Sequence, residues 1–119
     1  MVKYNRKQKT TQKEKLKMSV INVNKDNFQQ IKNSDKPVLL DFYADWCGPC
    51  RMVSPIVDGI AEERDDIIVG KINVDNEQEL AGEFGVFSIP TIVVMKKGKI
   101  TAQATGARPK EQILALLKS

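Results

Sequence analysis

Across Val38-Leu39-Leu40-Asp41-Phe42-Tyr43-Ala44 both alternating faces are apolar, with Asp41 the single exception. A strand with one face in water alternates apolar with polar residues, so this run predicts a central strand covered on both sides. The rest of the chain must then cover both faces of this strand. Val53, Ile56, Val57 and Ile60 recur at helical spacing, and Ile67 to Val74 is a second β-branched run. Strand, helix, strand in that order requires a crossover, right-handed in nearly all parallel pairs, and so defines a βαβ unit. Pro55 stands inside the helical stretch and should kink it.

Shorter signals flank this unit. Val20, Ile21 and Val23 form a β-type run ending at Asn24, a helix-capping residue type, and Phe28 and Ile31 give a short helix its buried face. Asn76 and Glu79 have the spacing of a capping box ahead of Leu80 and Phe84, and Gly85 suits the position just past that helix. Thr91 to Met95 and Ile100 to Thr105 read as a hairpin turning near Gly98. Pro109 opens a closing helix carrying Ile113, Leu114, Leu116 and Leu117. At 119 residues there is room for one core.

The net charge of +4 suggests a nucleic-acid partner until it is located. Residues 1–17 hold seven lysines and arginines against Glu14 alone, a net +6, which leaves −2 for the other 102 residues. Residues 1–18 therefore read as a basic, disordered extension and residues 19–119 as the folded domain. With one arginine, no serine and no apolar core, the extension fits neither a transit peptide nor a secretory signal. Its single aromatic, Tyr4, gives little for nucleic acid to stack on, so no nucleic-acid partner is expected. No apolar run approaches the ~18 residues of a membrane span, so no membrane association is expected either.

With two cysteines and no histidine, one chain cannot complete a four-ligand Cys/His zinc site or offer a Cys-His or Ser-His-Asp arrangement. No metal is expected, although two chains could share one zinc by ligand count. Both cysteines lie in Trp46-Cys47-Gly48-Pro49-Cys50, where the apolar strand ends and a helix begins. In an open α/β sheet, chemistry gathers beyond the C-terminal ends of parallel strands. A disulfide closing so small a loop would remove little entropy from the unfolded chain, so a redox role is the better reading.

The helix N-terminus favours thiolate at Cys47 by ~0.3 to 2 kcal/mol, which makes Cys47 the nucleophile. Lower basicity also lowers nucleophilicity, so the net gain is only a few-fold and the second thiol matters more. Cys50 resolves the mixed disulfide from within the same molecule, at effective molarities of ~10⁵ M or more. Gly48 and Pro49 add no charge between the sulfurs, which favours a reductant over an oxidase or isomerase. Asp41, buried and six residues before Cys47, has the raised pKa suited to take the Cys50 proton. A structural pairing with Lys71 on the neighbouring strand is the alternative, and Lys71 can also temper the shift at Asp41. At Ile89-Pro90 the residues alone favour a trans bond, since only about 5% of X-Pro bonds in folded proteins are cis.

From Ser19 to the C-terminus the chain resembles the thioredoxin family. The resemblance rests on Asp41 through Cys50, Pro55, Lys71-Ile72-Asn73-Val74-Asp75, Ile89-Pro90-Thr91, Gly98 and Gly106, in that order. It implies an α/β thioredoxin fold, a three-layer α/β/α arrangement with a mixed sheet of four to five strands and about four helices. It further implies Cys47 attacking, Cys50 resolving, Asp41 moving the proton and Lys71 tuning it. Pro90 should be cis beside the sulfurs, with Trp46, Gly48, Pro49, Ile89, Gly106 and Ala107 as the docking surface. The implied activity is reduction of target-protein disulfides by a monomer in the cytoplasm. No cofactor would be bound, and NADPH would be used indirectly through a flavoprotein thioredoxin reductase. A non-enzymatic interaction subunit is the competing reading, which needs no buried carboxylate behind the thiols. Tyr43 stands where the family often has tryptophan, and Phe87 where it often has a polar or basic residue.

Overall fold

A computed structural model describes residues 19–119, and the extension expected over residues 1–18 lies outside the described residues. Five strands, β1 (Val20–Asn22), β2 (Val38–Tyr43), β3 (Ile68–Asn73), β4 (Thr91–Lys96) and β5 (Lys99–Thr105), form one sheet in the order β1-β3-β2-β4-β5. The described residues also form four helices, α1 (Phe28–Lys32), α2 (Gly48–Glu63), α3 (Gln78–Glu83) and α4 (Lys110–Leu116). β1 and β2 run parallel to β3, while β4 is antiparallel to β2 and β5 to β4. Parallel β2 and β3 are joined through α2, the βαβ unit expected from the sequence.

β2 is hydrogen-bonded on both edges, and its side chains alternate between two apolar layers. Leu39 packs with Val69, Ile92 and Val94 against Val53, Val57 and Ile60 of α2 and Ile113 of α4. Leu40 and Phe42 face the other way, toward Phe28 and Ile31 of α1 and Leu80 at α3. Phe84, just past α3, meets the rings of Phe28 and Phe42 at 5.6 and 5.2 Å. Each fully buried Leu or Phe contributes roughly 1.5–3 kcal/mol, so this strand helps to hold both helical layers. The result is the three-layer α/β/α thioredoxin fold.

Local chemistry sets the element ends. Asn24 Oδ1 accepts the N–H groups of Asp26 and Asn27, and its carbonyl accepts that of Phe28, so it caps the turn leading into α1. The capping box expected at Asn76 and Glu79 does not form. Asn73 takes its place: its side chain accepts from Asp75 N and its carbonyl from Asn76 N and Glu77 N, which delays α3 to Gln78. α2 continues unbroken through Pro55 to Glu63. Pro109 precedes α4 in extended geometry, one residue earlier than a first-turn position. Lys97 and Gly98, both at positive φ, make the two-residue turn between β4 and β5.

Gly70 of β3 is required by close packing. A Cβ there would lie 2.5 Å from Val23 Cγ2 and 3.2 Å from Leu40 Cδ2, whereas at Gly59 of α2 it would meet nothing within 4 Å. Gly70→Ala should therefore lose about 1–3 kcal/mol of stability in guanidinium unfolding. Gly59→Ala, in a helix interior, should gain roughly 0.5–1 kcal/mol by the same measurement.

Candidate active site

Where β2 ends, Ala44, Asp45 and Trp46 turn the chain into α2, and Cys47 N donates to Ala44 O at 3.2 Å. Cys47 has extended backbone geometry and is the N-cap of α2. N-cap side chains are ordinarily hydroxyl, amide or carboxylate oxygens. Here the acceptor is sulfur: Cys50 N donates to Cys47 Sγ at 3.2 Å. Gly48 and Pro49 fill the first two helical positions, and the proline lacks an N–H that would have no partner there. This geometry brings the two cysteines together as a disulfide, with Cα atoms 5.3 Å apart. Cys47 is 4% exposed, while Trp46, Gly48 and Pro49 around it are open to solvent.

The second wall comes from the segment before β4. The Ile89–Pro90 bond is cis, which corrects the trans form that the residues alone favour. Tertiary context decides this isomer, because the intrinsic trans preference is only about 0.5–1 kcal/mol. Ile89 O lies 3.9 Å from Cys47 Sγ, and Pro90 O accepts from Gly106 N at 2.8 Å. Gly106 has φ +103°, where side-chain-bearing residues are rare. Trp46, 68% exposed, donates from Nε1 to Asp75 Oδ2 at 2.9 Å.

An apolar groove of about 340 Å³ opens beside the disulfide between Trp46, Val74, Val86, Phe87, Ser88 and Ile89. Phe87 is 94% exposed on its rim. Ala107 belongs to a different groove, with Met52, Val53, Ile56, Arg108 and Pro109. Of the predicted docking residues, Trp46 and Ile89 line the first groove and Ala107 the second.

Thioredoxin is the family whose sequence model matches residues 19–119. The chain is 49% identical over 92 residues to a thioredoxin of Alicyclobacillus acidocaldarius subsp. acidocaldarius, covering 76% of this chain and 88% of that protein. It is 49% identical over 102 residues to a thioredoxin of Porphyra purpurea, covering 84% and 95%. The structure of a thioredoxin variant from Halobacterium salinarum NRC-1 superposes with a TM-score of 0.78 at 35% identity, over 83% of this chain and 88% of that one. The chain belongs to the thioredoxin family. With both sulfurs in place and bonded, it is a dithiol-disulfide oxidoreductase that reduces protein disulfides.

Behind the thioredoxin disulfide, Asp41 is 0% exposed, and neither carboxyl oxygen has a hydrogen-bond partner among the described residues. Desolvation raises its pKa to about 6, against the opposing pull of the Lys71 charge and with a smaller push from Asp58. Lys71 is its register partner on β3, yet the two form no ion pair. The ammonium instead contacts Asp58 Oδ1 at 3.0 Å and hydrogen-bonds Ser54 Oγ. Sequence reasoning missed Ser54, Asp58 and Asp75. The four-residue spacing of the first two on one helix was the available signal for them. Among the described residues no cluster of three or more His, Cys, Asp or Glu side chains is placed to hold a metal.

The carboxyl of Asp41 titrates at a higher pH in the folded chain than in the unfolded one, so between pH 4 and 6 the folded state binds more protons. Its stabilisation is therefore greatest below pH 4 and is lost as the pH rises through about 6. In the oxidised protein, Asp41→Asn should raise unfolding free energy at pH 7.5 by about 3 kcal/mol. It should also abolish this decline in guanidinium titrations repeated across pH.

Proposed function

We propose that this thioredoxin-family chain is a general reductant of protein disulfides, with Cys47 as nucleophile and Cys50 as resolving thiol. The observation that carries the assignment is the bond from Cys50 N to Cys47 Sγ at the mouth of a 16-residue helix. In the reduced protein the same N–H meets a thiolate, and a hydrogen bond to an ionised acceptor is roughly twice as strong as a neutral one. The helix dipole acts in the same direction. Cys50 lies in the first turn with only 2% exposure, behind the more accessible face of the motif.

The reaction then balances as follows. Cys47 thiolate attacks one sulfur of the target disulfide, forming a mixed disulfide and releasing the other target sulfur as thiolate. Cys50 gives its proton to the Asp41 carboxylate and attacks Cys47 Sγ, closing the internal disulfide and expelling the second target thiolate. Two electrons pass to the target, and its thiolates take up protons. Asp41 suits this role because its pKa lies near working pH, where a general base is most effective. Lys71 tunes it through charge without occupying it.

For docking, an extended target segment would lie along Ile89 and cis-Pro90, flanked by Trp46, Gly48, Pro49, Gly106 and Ala107. The exposure of Trp46 and the open space at Gly48 and Gly106 support this, since a partner backbone can approach closely there. The internal disulfide would be reduced by a flavoprotein thioredoxin reductase drawing on NADPH, with no cofactor held by this chain. It would work as a monomer in the reducing cytoplasm, where such a dithiol sustains electron transport and redox homeostasis. No helix among the described residues is long and apolar enough to cross a membrane.

In a lysate, Cys50→Ser should accumulate mixed disulfides through Cys47, seen as dithiothreitol-sensitive bands on non-reducing gels, and Cys47→Ser should accumulate few. Equal trapping by both variants would reverse or void the assignment. The wild-type chain should cleave insulin disulfides in dithiothreitol well above the buffer rate.

A further inference from the structure

Asp41 and Lys71 sit side by side on adjacent strands, at the same register and on the face covered by α2. Strands lie about 4.8 Å apart, so a lysine in that place can reach a buried carboxylate and close an ion pair. It does not. Lys71 Nζ is held by Ser54 and Asp58, one turn apart on α2, and lies 5.9 Å from the centre of the Tyr43 ring. Both oxygens of Asp41 remain without a hydrogen-bond partner among the described residues. Asp58 is half-exposed, so the ammonium is drawn toward the water-facing rim of the sheet.

We infer that Ser54 and Asp58 are positioning residues for disulfide exchange: they hold the Lys71 ammonium off Asp41, so that its carboxylate stays free to take the Cys50 proton. This rests on the role given to Asp41 above. Without the two α2 acceptors, Lys71 would turn inward and engage the carboxylate. An opposite charge in contact stabilises the ionised form and makes it a weaker base. The charged neighbours of Asp41 are Lys71 from β3 and Asp58 from α2, while β4 places apolar Ile92 opposite it. Asp58 also acts on Asp41 directly through its charge, so the test must separate that effect from release of Lys71.

The experiment is a ¹³C-carboxyl NMR titration of reduced protein, with the Asp41 resonance assigned by its loss in Asp41→Asn. Ser54→Ala/Asp58→Asn should lower the Asp41 midpoint by about one pH unit more with Lys71 present than in a Lys71→Met background. Ser54→Thr, which keeps the hydroxyl, should leave the midpoint unchanged. At pH 7 the double variant should resolve a Cys47 mixed disulfide about threefold more slowly, as a Brønsted slope near 0.5 requires. Equal shifts in the two backgrounds, or no shift, would overturn the inference while leaving the role of Asp41 intact. Wild-type resolution by Asp41→Asn would remove both.

Discussion

Strand β2 has no free edge and no free face, yet it carries the Asp41 carboxyl group in its middle with no hydrogen-bond partner among the described residues. An unpaired ionisable group in such a place is costly, and a core selected for stability alone would replace it. What surrounds it makes sense as a response to that cost. Leu39, Leu40 and Phe42 bury two helical layers against the same strand, so the loss at one position is offset at its neighbours. The end of this rigid strand then delivers Cys47 to the head of α2.

The cysteine pair joins covalent chemistry to secondary structure. Cys47 Sγ is at once a disulfide atom and the cap of a helix, so the bond that is made and broken lies on an element anchored along its length by Val53, Val57 and Ile60. Opposite it, Ile89 and cis-Pro90 are tied through Gly106 N to the end of β5, so the far wall is fixed by backbone as well. The exposed groups, Trp46 and Phe87, sit outside this frame.

Much of this was legible in the sequence because apolar periodicity reports burial directly. The two-faced run around Asp41, the helical spacing of Val53 to Ile60 and the turn at Gly98 each reflect a physical requirement that no distant residue can cancel. The isomer at Pro90 was not legible from its own neighbours, since a preference of about 0.5–1 kcal/mol is easily overridden by packing. The Asn76 and Glu79 capping box did not form: the Asn73 carbonyl, three residues earlier, accepts the Asn76 N–H that the Glu79 side chain would have taken. The α2 acceptors of Lys71 went unread for a related reason, the sequence offering a pairing with Asp41 only as the alternative to proton transfer. Strand adjacency suggested Asp41, but two acceptors on α2 compete for the same ammonium, and a half-exposed ion pair needs less desolvation than a buried one.

The margins of the sheet bear on how such a molecule survives its own partners. β1 is only three residues long, and β5 is bulged where Thr101 has no opposite number, Val94 facing Ala102 and Met95 facing Ile100. A short margin and a kinked one are poor templates for adding a foreign strand. Edges of this kind resist side-by-side strand pairing with a protein whose disulfide has just been reduced, so release need not await the peeling apart of a shared sheet.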